Sequence, residues 1–196
     1  MLNVVSMFFT TCLSFYFYLK SVGPAALEKR IGKTAYRRCG QYRVASSVAM
    51  FATVVNYVVY YFYPLANPLP RFFPWDYSFT AVVATVILTP SLYLEYRGVK
   101  DAGRETLTPR KEHTLYGGIY KTIRHPQALG EVWVGLCIAL YFNSPFLALF
   151  SLTYFPAFFL FCIAEEKDLV IRYGQSYIEY RNRTGMFIPR QGEMRE

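Results

Sequence analysis

PQALGEVWVGLCIALYFNSPFLALFSLTYFPAFFLFCIA, residues 126–164, contains two apolar runs, about 126–142 and 145–164, separated only by Asn143-Ser144-Pro145. A membrane-spanning helix needs about 20 mostly apolar residues, because the hydrocarbon core is about 30 Å thick and a helix rises about 1.5 Å per residue. Both runs approach this length, and the short turn between them makes the two helices antiparallel. The stretch therefore predicts a hairpin that crosses a membrane twice.

Three further apolar runs precede this hairpin, at about residues 2–19, 44–65 and 77–96. The chain of 196 residues is 54% hydrophobic and 19% aromatic, which soluble domains seldom are. We expect an all-α fold, an integral membrane helical bundle of about five transmembrane helices, followed by a C-terminal cytoplasmic helical segment.

The positive charge lies in three blocks. Every lysine and arginine except Arg71 falls in the first loop, the third loop or the C-terminal tail. Because cytoplasmic loops are enriched in these residues, the pattern predicts an N-terminus outside and a C-terminus in the cytoplasm. Blocks between apolar runs do not form the basic stripe of a nucleic-acid-binding protein. The four cysteines show no CxxC pair, so no metal site is predicted.

Polar residues concentrate at the start of the hairpin, in residues 117–131. Proline suits the first turn of a helix, so Pro126 places His125 at the helix mouth, beside free backbone N–H groups that can bind an anion. Glu131 lies deeper, where a carboxyl is costly unless it is paired or functional. The alternative is that His125 only caps the helix and Glu131 pairs with a neighbouring basic residue.

A second polar segment, residues 165–183, follows the hairpin. On a helix, one face carries Glu166, Leu169, Val170, Tyr173, Tyr177 and Tyr180, with a break expected at Gly174. The alternative is a basic amphipathic helix resting on anionic lipid headgroups. The adjacent acids Glu165 and Glu166 argue against it, because they would weaken such binding.

The two segments together resemble a family of membrane enzymes. The matching residues are Gly118-x-Tyr120-x-x-x-Arg124-His125-Pro126-x-x-x-Gly130 and Glu165-Glu166-x-x-Leu169-x-x-x-Tyr173-Gly174-x-x-Tyr177-x-x-Tyr180-x-x-Arg183, then Ile188-Pro189. Over residues 114–190 they resemble the isoprenylcysteine carboxyl methyltransferases, of the microbial type, and more broadly the phospholipid methyltransferases. Ala128 and Thr184-Gly185 depart from the pattern. The glycine-rich GxGxxG fingerprint does not occur.

The resemblance implies a pocket for S-adenosylmethionine, with S-adenosylhomocysteine as product, between the mouth of the fourth span and the segment after the fifth. It implies two regions: residues 1–113, with three N-terminal spans and their cytoplasmic loops, and residues 114–196, the catalytic region with the hairpin and the C-terminal cofactor-binding segment. The expected cofactor-binding residues are Tyr120, His125, Pro126, Leu129, Gly130, Glu165, Glu166, Tyr177, Tyr180 and Arg181. In this hypothesis His125 holds the methionyl carboxylate and a glutamate binds the ribose or amine.

The methyl acceptor decides which catalytic residues are needed. A carboxylate is already ionised at pH 7 and needs a cation to hold it, for which we select Arg183 first and Arg124 or Arg181 second. An ammonium must first lose a proton, to Glu131 or His125. The surplus of arginine favours carboxyl O-methylation of an isoprenylcysteine-like amphiphile over N-methylation of an aminophospholipid.

A non-enzymatic helical membrane protein is the third possibility. Membrane lipids and a lipid or lipidated substrate are the expected partners, with no nucleic acid, and the active site is expected at the cytoplasmic face. The oligomeric state stays open.

Overall fold

The computed structural model describes residues 1–66, 68–111 and 117–190. Within these ranges the chain is helical and contains no strand; one β-bridge joins Ile123 to Gly185. The α-helices are α1 (Leu2–Ser21), α2 (Pro24–Ile31), α3 (Thr34–Phe62), α4 (Tyr77–Ala102), α5 (Pro126–Glu131), α6 (Val134–Tyr141), α7 (Pro145–Ser151), α8 (Tyr154–Tyr173) and α9 (Gln175–Arg183), with 3₁₀ turns at Gly103–Thr106 and Gly118–Lys121. The predicted all-α bundle is confirmed.

Four helical segments of the described chain are long and apolar enough to cross a membrane: Leu2–Ser21, Thr34–Phe62, Tyr77–Thr106 and Pro145–Tyr173. They correspond to the predicted first, second, third and fifth spans. The second predicted span is part of α3, which begins at Thr34 rather than near residue 44. The basic residues before the apolar run are good helix formers, so they extend this helix beyond the apolar run.

The predicted fourth span differs from a single helix. It consists of α5 and α6 in succession, with an interruption at residues 132–133. The helix begins at Pro126 as expected, and His125 is the residue before it. Neither piece alone is long enough to span, but together they cover residues 126–141, which at about 1.5 Å per residue amount to roughly 24 Å. The structure thus has this segment beside the four longer ones, and the last of those, Pro145–Tyr173, is itself divided into α7 and α8 by a turn at residues 152–153.

Hydroxyl groups join the first two long helices. Ser14 Oγ lies 3.1 Å from Ser46 Oγ, and Thr11 Oγ1 lies 3.3 Å from Thr53 Oγ1. Helices in lipid gain no hydrophobic driving force from packing on each other, so small residues and interhelical hydrogen bonds hold them together. In contrast, Phe9, Val48, Phe51 and Val86 are at least 65% exposed and point away from the bundle, as expected for side chains that face lipid.

Glycine allows α5 to approach α4 closely. A Cβ added at Gly130 would lie 2.4 Å from Ser91 O and 2.8 Å from Glu95 N, so no other residue fits without displacing backbone. Gly98 of α4 also allows this close approach, because a Cβ added there would lie 2.6 Å from Gln127 Cγ. These two contacts fix the mouth of the broken span against the end of α4.

Polar contacts gather the basic segments at one end of the bundle. Asp168 of α8 accepts hydrogen bonds from the backbone N–H groups of Ala25, at 3.0 Å, and Ala26, at 2.7 Å. Arg172 Nη1 lies 2.6 Å from Glu105 Oε1, and both side chains are less than 10% exposed. The first loop and the third loop therefore both lie against the end of α8, so the basic segments meet at one end of the bundle, as the charge pattern predicts.

Candidate active site

The two polar segments identified from the sequence are in direct contact. Arg124 N donates to Gly185 O at 2.9 Å, and His125 N donates to Met186 O at 3.2 Å. These bonds flank the bridge between Ile123 and Gly185. The residues just before α5 are thereby hydrogen-bonded to the residues that follow α9.

Arg124 connects three parts of this region. Its Nε lies 2.8 Å from Glu166 Oε1, and its Nη1 donates to Arg181 O at 3.0 Å and to Thr184 O. The Arg124 and Glu166 side chains are only 9% and 11% exposed. Most of the guanidinium's bonds therefore hold the end of α9 against α8.

His125 lies between two carboxylates. Its Nε2 is 3.1 Å from Glu166 Oε1 and its Nδ1 is 3.5 Å from Glu165 Oε2. Burial lowers the pKa of His125, but hydrogen bonds to Cys162, Glu165 and Glu166 outweigh it, and the pKa lies well above its usual value. The imidazole is therefore protonated at neutral pH and can donate from both nitrogens.

Tyr120 is held by a network of hydrogen bonds. Its hydroxyl donates to Gly98 O at 3.2 Å and accepts from Gln127 Nε2 at 2.8 Å, while Tyr180 donates to Tyr120 O at 2.6 Å. Burial raises the pKa of Tyr120 above its usual value, so the phenol stays neutral. The network fixes the 3₁₀ turn before α5 against both α4 and α9.

Tyr177 is buried among Leu169, Tyr173 and Tyr180. Its hydroxyl is buried and has no hydrogen-bond partner within the described residues. Burial raises the pKa of Tyr177, so the hydroxyl remains a neutral donor. An unmatched buried hydroxyl costs free energy, and this one lies in a segment expected to bind the cofactor.

A cleft that we call the polar cleft opens beside His125. It holds about 550 Å³ of empty space when the open mouth is counted. It carries both signs of charge and two phenols, and its lining residues are Tyr18, Arg43, Ala102, Glu105, Thr106, Tyr120, Arg124, His125, Gln127, Ala128, Glu165 and Leu169.

The structure brings together part of the expected site. Tyr120, Arg124, His125 and Glu165 line the polar cleft. Pro126, Gly130, Glu166, Tyr177 and Tyr180 are buried in the surrounding structure and are not among the described lining residues. Leu129 and Arg181 are half-buried and also lie outside the lining, Arg183 is exposed, and Glu131 lines the neighbouring cavity instead.

Eight of the residues that line the cleft were absent from the sequence-based set: Tyr18, Arg43, Ala102, Glu105, Thr106, Gln127, Ala128 and Leu169. Arg43 directly precedes the apolar run that begins at Val44, which is the one sequence signal that separates it from the other loop cations. Tyr18, Ala102, Glu105 and Thr106 come from segments outside the motif. Gln127 and Ala128 stand at unspecified positions within it, and Leu169 belongs to it but was not assigned to the site. Their place in the site follows from the packing of α1, α3 and α4 around the hairpin.

The fold is that of a helical membrane protein with a polar cleft at one end of its bundle. Comparison with known families then identifies the class of enzyme. The phospholipid methyltransferase family model matches residues 78–176, about half of the chain. The chain belongs to this family, and it is a membrane methyltransferase. No curated protein and no solved structure matches it significantly.

Family membership confirms the expected relationship to the phospholipid methyltransferases and leaves the methyl acceptor open. The matched range contains the Arg124-His125-Pro126 motif, the hairpin and Glu165-Glu166. It ends at residue 176, before Tyr177, Tyr180 and Arg183. Within the described residues, no group of three or more potential metal ligands occurs.

Proposed function

We propose that the protein transfers a methyl group from S-adenosylmethionine to the polar headgroup of a membrane amphiphile. The observation that carries this proposal is the position of the polar cleft. Its mixed charges lie at the end of helices whose outer faces are apolar, so a headgroup can reach them while its tail stays among the helices. Membership of a phospholipid methyltransferase family supports the same proposal.

The side chains of the polar cleft fit the cofactor's charges. S-adenosylmethionine carries a carboxylate, an ammonium and a sulfonium; Arg124 is suited to the first, and Glu165 to the cations. Both ring nitrogens of His125 already face Glu165 and Glu166, so His125 positions these glutamates and does not itself bind the carboxylate. Tyr18 and Tyr120 offer aromatic surface for adenine. The unmatched hydroxyl of Tyr177 is a further donor close to this region.

The cofactor, when bound, supplies the electrophilic methyl group. The protein's part is to bind the two reactants, to orient them and to exclude water. His125 keeps Glu165 in place through its own proton, and Glu166 holds Arg124. Tyr120 and Gln127 fix the wall that faces α4.

The first candidate acceptor is a carboxylate on an isoprenylcysteine-like lipid. A carboxylate needs no general base at pH 7, and the polar cleft already carries positive charge. Arg183, selected for this role from the sequence, is exposed and lies outside the lining. Its substitution by alanine would therefore be expected to spare turnover, unlike substitution of a lining cation.

The second candidate acceptor is the amine of an aminophospholipid. Glu131 favours it, because this carboxylate lines the cavity next to the polar cleft and could accept the proton that an ammonium must lose. Glu131→Gln distinguishes the two candidates, since it removes a base that only the amine requires.

The site is proposed to face the cytoplasm. The basic segments meet around it, and lysine and arginine are retained on the cytoplasmic side of membranes. In this orientation the N-terminus is outside and residues 114–196 form the catalytic and cofactor-binding region.

Methyl-labelled S-adenosylmethionine tests the function directly. The purified chain in detergent micelles is incubated with N-acetyl-S-farnesylcysteine or with phosphatidylethanolamine. We expect label in the farnesylcysteine product, released by base as a methyl ester is. Base-stable label in phosphatidylethanolamine, lost in Glu131→Gln, would establish the second candidate. Absence of S-adenosylhomocysteine binding by calorimetry, together with no turnover, would overturn the proposal.

A further inference from the structure

We propose that Arg43 anchors the anionic group of the methyl acceptor, a carboxylate or a lipid phosphate. This inference rests on the proposed function and adds to it a residue from α3, outside the range that the family model matches. Three observations carry it: the bonds of the guanidinium, its place between two cavities, and the apolar space beyond it.

The Arg43 guanidinium is held by backbone carbonyls and forms no salt bridge with any of the described carboxylates. Its Nη1 donates to the carbonyls of Glu105 and Thr106, the latter at 2.8 Å. Its Nε is buried and has no hydrogen-bond partner within the described residues. Arg124 and Arg172, whose side chains are largely buried, each pair with a glutamate. Arg43 is half-buried, and Glu165 of the same cleft acts on it electrostatically without forming a salt bridge. Its guanidinium therefore keeps hydrogen-bonding capacity for an anion supplied from outside the chain.

Arg43 lines two cavities at once. One is the polar cleft, and the other, which we call the deep cavity, lies between α1, α3 and the broken span. Tyr18, Thr106 and Gln127 also line both. An anion bound to Arg43 would therefore stand beside the proposed cofactor site while the rest of its molecule extends away from it.

The deep cavity leads from Arg43 into apolar surroundings. Glu131, Met50 and Phe158 line it and also line a third cavity, whose remaining walls include Val54, Val134 and Ile138. These side chains come from the apolar stretches of α3 and α6. The linings thus change from paired charges in the polar cleft, through Arg43, to a mostly apolar cavity in which Glu131 is the charged lining residue, and this order suits a molecule with an anionic head and a lipid tail.

Kinetics of Arg43→Gln test this role, with Arg38→Gln as the matched control. Arg38 is an exposed arginine on the same helix and lines none of the three cavities. Turnover by the wild type is measured first and shows which acceptor is used. If it is farnesylcysteine, the anion is a carboxylate; if it is phosphatidylethanolamine, the anion is a phosphate. We expect Arg43→Gln to raise KM for that acceptor about tenfold or more, the usual loss of a hydrogen bond to a charged group. S-adenosylhomocysteine affinity should change less than threefold in either variant.

Charge discrimination gives a second measurement that does not depend on Arg43→Gln folding. Competitors that share a tail are compared in wild type and Arg43→Lys: N-acetyl-S-farnesylcysteine against its uncharged amide, or phosphatidic acid against diacylglycerol. We expect wild type to prefer the anion at least tenfold and Arg43→Lys, which keeps the charge but not the planar fork, to prefer it less.

The outcomes separate this inference from the proposed function. An active wild type whose KM and anion preference are unaltered in the Arg43 variants overturns the role of Arg43 alone. The proposed function is overturned if the wild type binds S-adenosylhomocysteine but methylates neither acceptor, or if the wild type does not bind S-adenosylhomocysteine.

Discussion

Replacement of Glu166 by glutamine should destabilise the protein while leaving the polar cleft's own lining chemically intact. Glu166 lies behind the cleft, where one carboxylate oxygen is 2.8 Å from Arg124 Nε and 3.1 Å from His125 Nε2. Glutamine has nearly the same shape and keeps an acceptor oxygen. The change therefore removes the charge and little else.

The size of the effect follows from the burial of both partners. Arg124 and Glu166 are 9% and 11% exposed, so solvent screens their interaction only slightly. Removing one member of a buried ion pair costs about 3–5 kcal/mol, and a hydrogen bond to a charged group contributes about 1.5–3 kcal/mol. Because the amide oxygen retains one acceptor, we expect a loss near the lower end, about 3 kcal/mol.

Unfolding in mixed detergent micelles, followed by circular dichroism, measures this loss. Glu179→Gln is the matched control, since Glu179 is an exposed glutamate on α9 and surface substitutions change stability by about 0.5 kcal/mol or less. S-adenosylhomocysteine affinity is measured on the folded variants. A Glu166→Gln protein as stable as the control would refute the structural role that we assign to this ion pair.

Three further predictions concern packing, charge and pH. Gly130→Ala should lower stability by about 1–3 kcal/mol, because its Cβ would meet Ser91 O at 2.4 Å, whereas Gly117→Ala, with open space around it, should be tolerated in the same unfolding measurement. Arg172→Met should cost about 3–5 kcal/mol by leaving Glu105 buried and unpaired, and the double variant Glu105→Leu/Arg172→Met should recover most of it; equal losses in both would contradict this. The pKa of His125 is raised in the folded protein, so its ion pairs contribute their full stability below the unfolded-state pKa of about 6.5. This contribution is lost as pH rises through the higher folded-state pKa. The difference in the free energy of unfolding between wild type and His125→Gln should therefore shrink with rising pH.

The long helices could be predicted because hydropathy directly reflects the membrane. The starts of the hairpin helices at Pro126 and Pro145 and the break at Gly174, whose φ is +59°, were also readable from residue type. The interruption at residues 132–133 was not, because an apolar run looks the same whether its helix is continuous or broken.

Many residues that line the polar cleft were not predicted, because residues far from a sequence motif carry no local signal of their place in the fold. Motif residues such as Tyr120, His125 and Glu165 were found because they are close in sequence to a polar pattern. Arg43 was counted only as a loop charge, since hydropathy ends a span at its first cation. The role that we propose for it rests on its place between two cavities and on the salt bridge that Arg124 and Arg172 each form and that Arg43 does not form with any described residue, and only a three-dimensional structure reveals these features.

The hydrogen bonds from Ala25 and Ala26 to Asp168 have a consequence for synthesis. No side chain of α2 caps its own first turn, and the acceptor lies 143 and 142 residues further along the chain. As the ribosome releases the polypeptide from its N-terminal side, this turn waits until α8 has been synthesised. The first turn of α2, between the first two long helices, is thus completed only after α8 has joined the bundle.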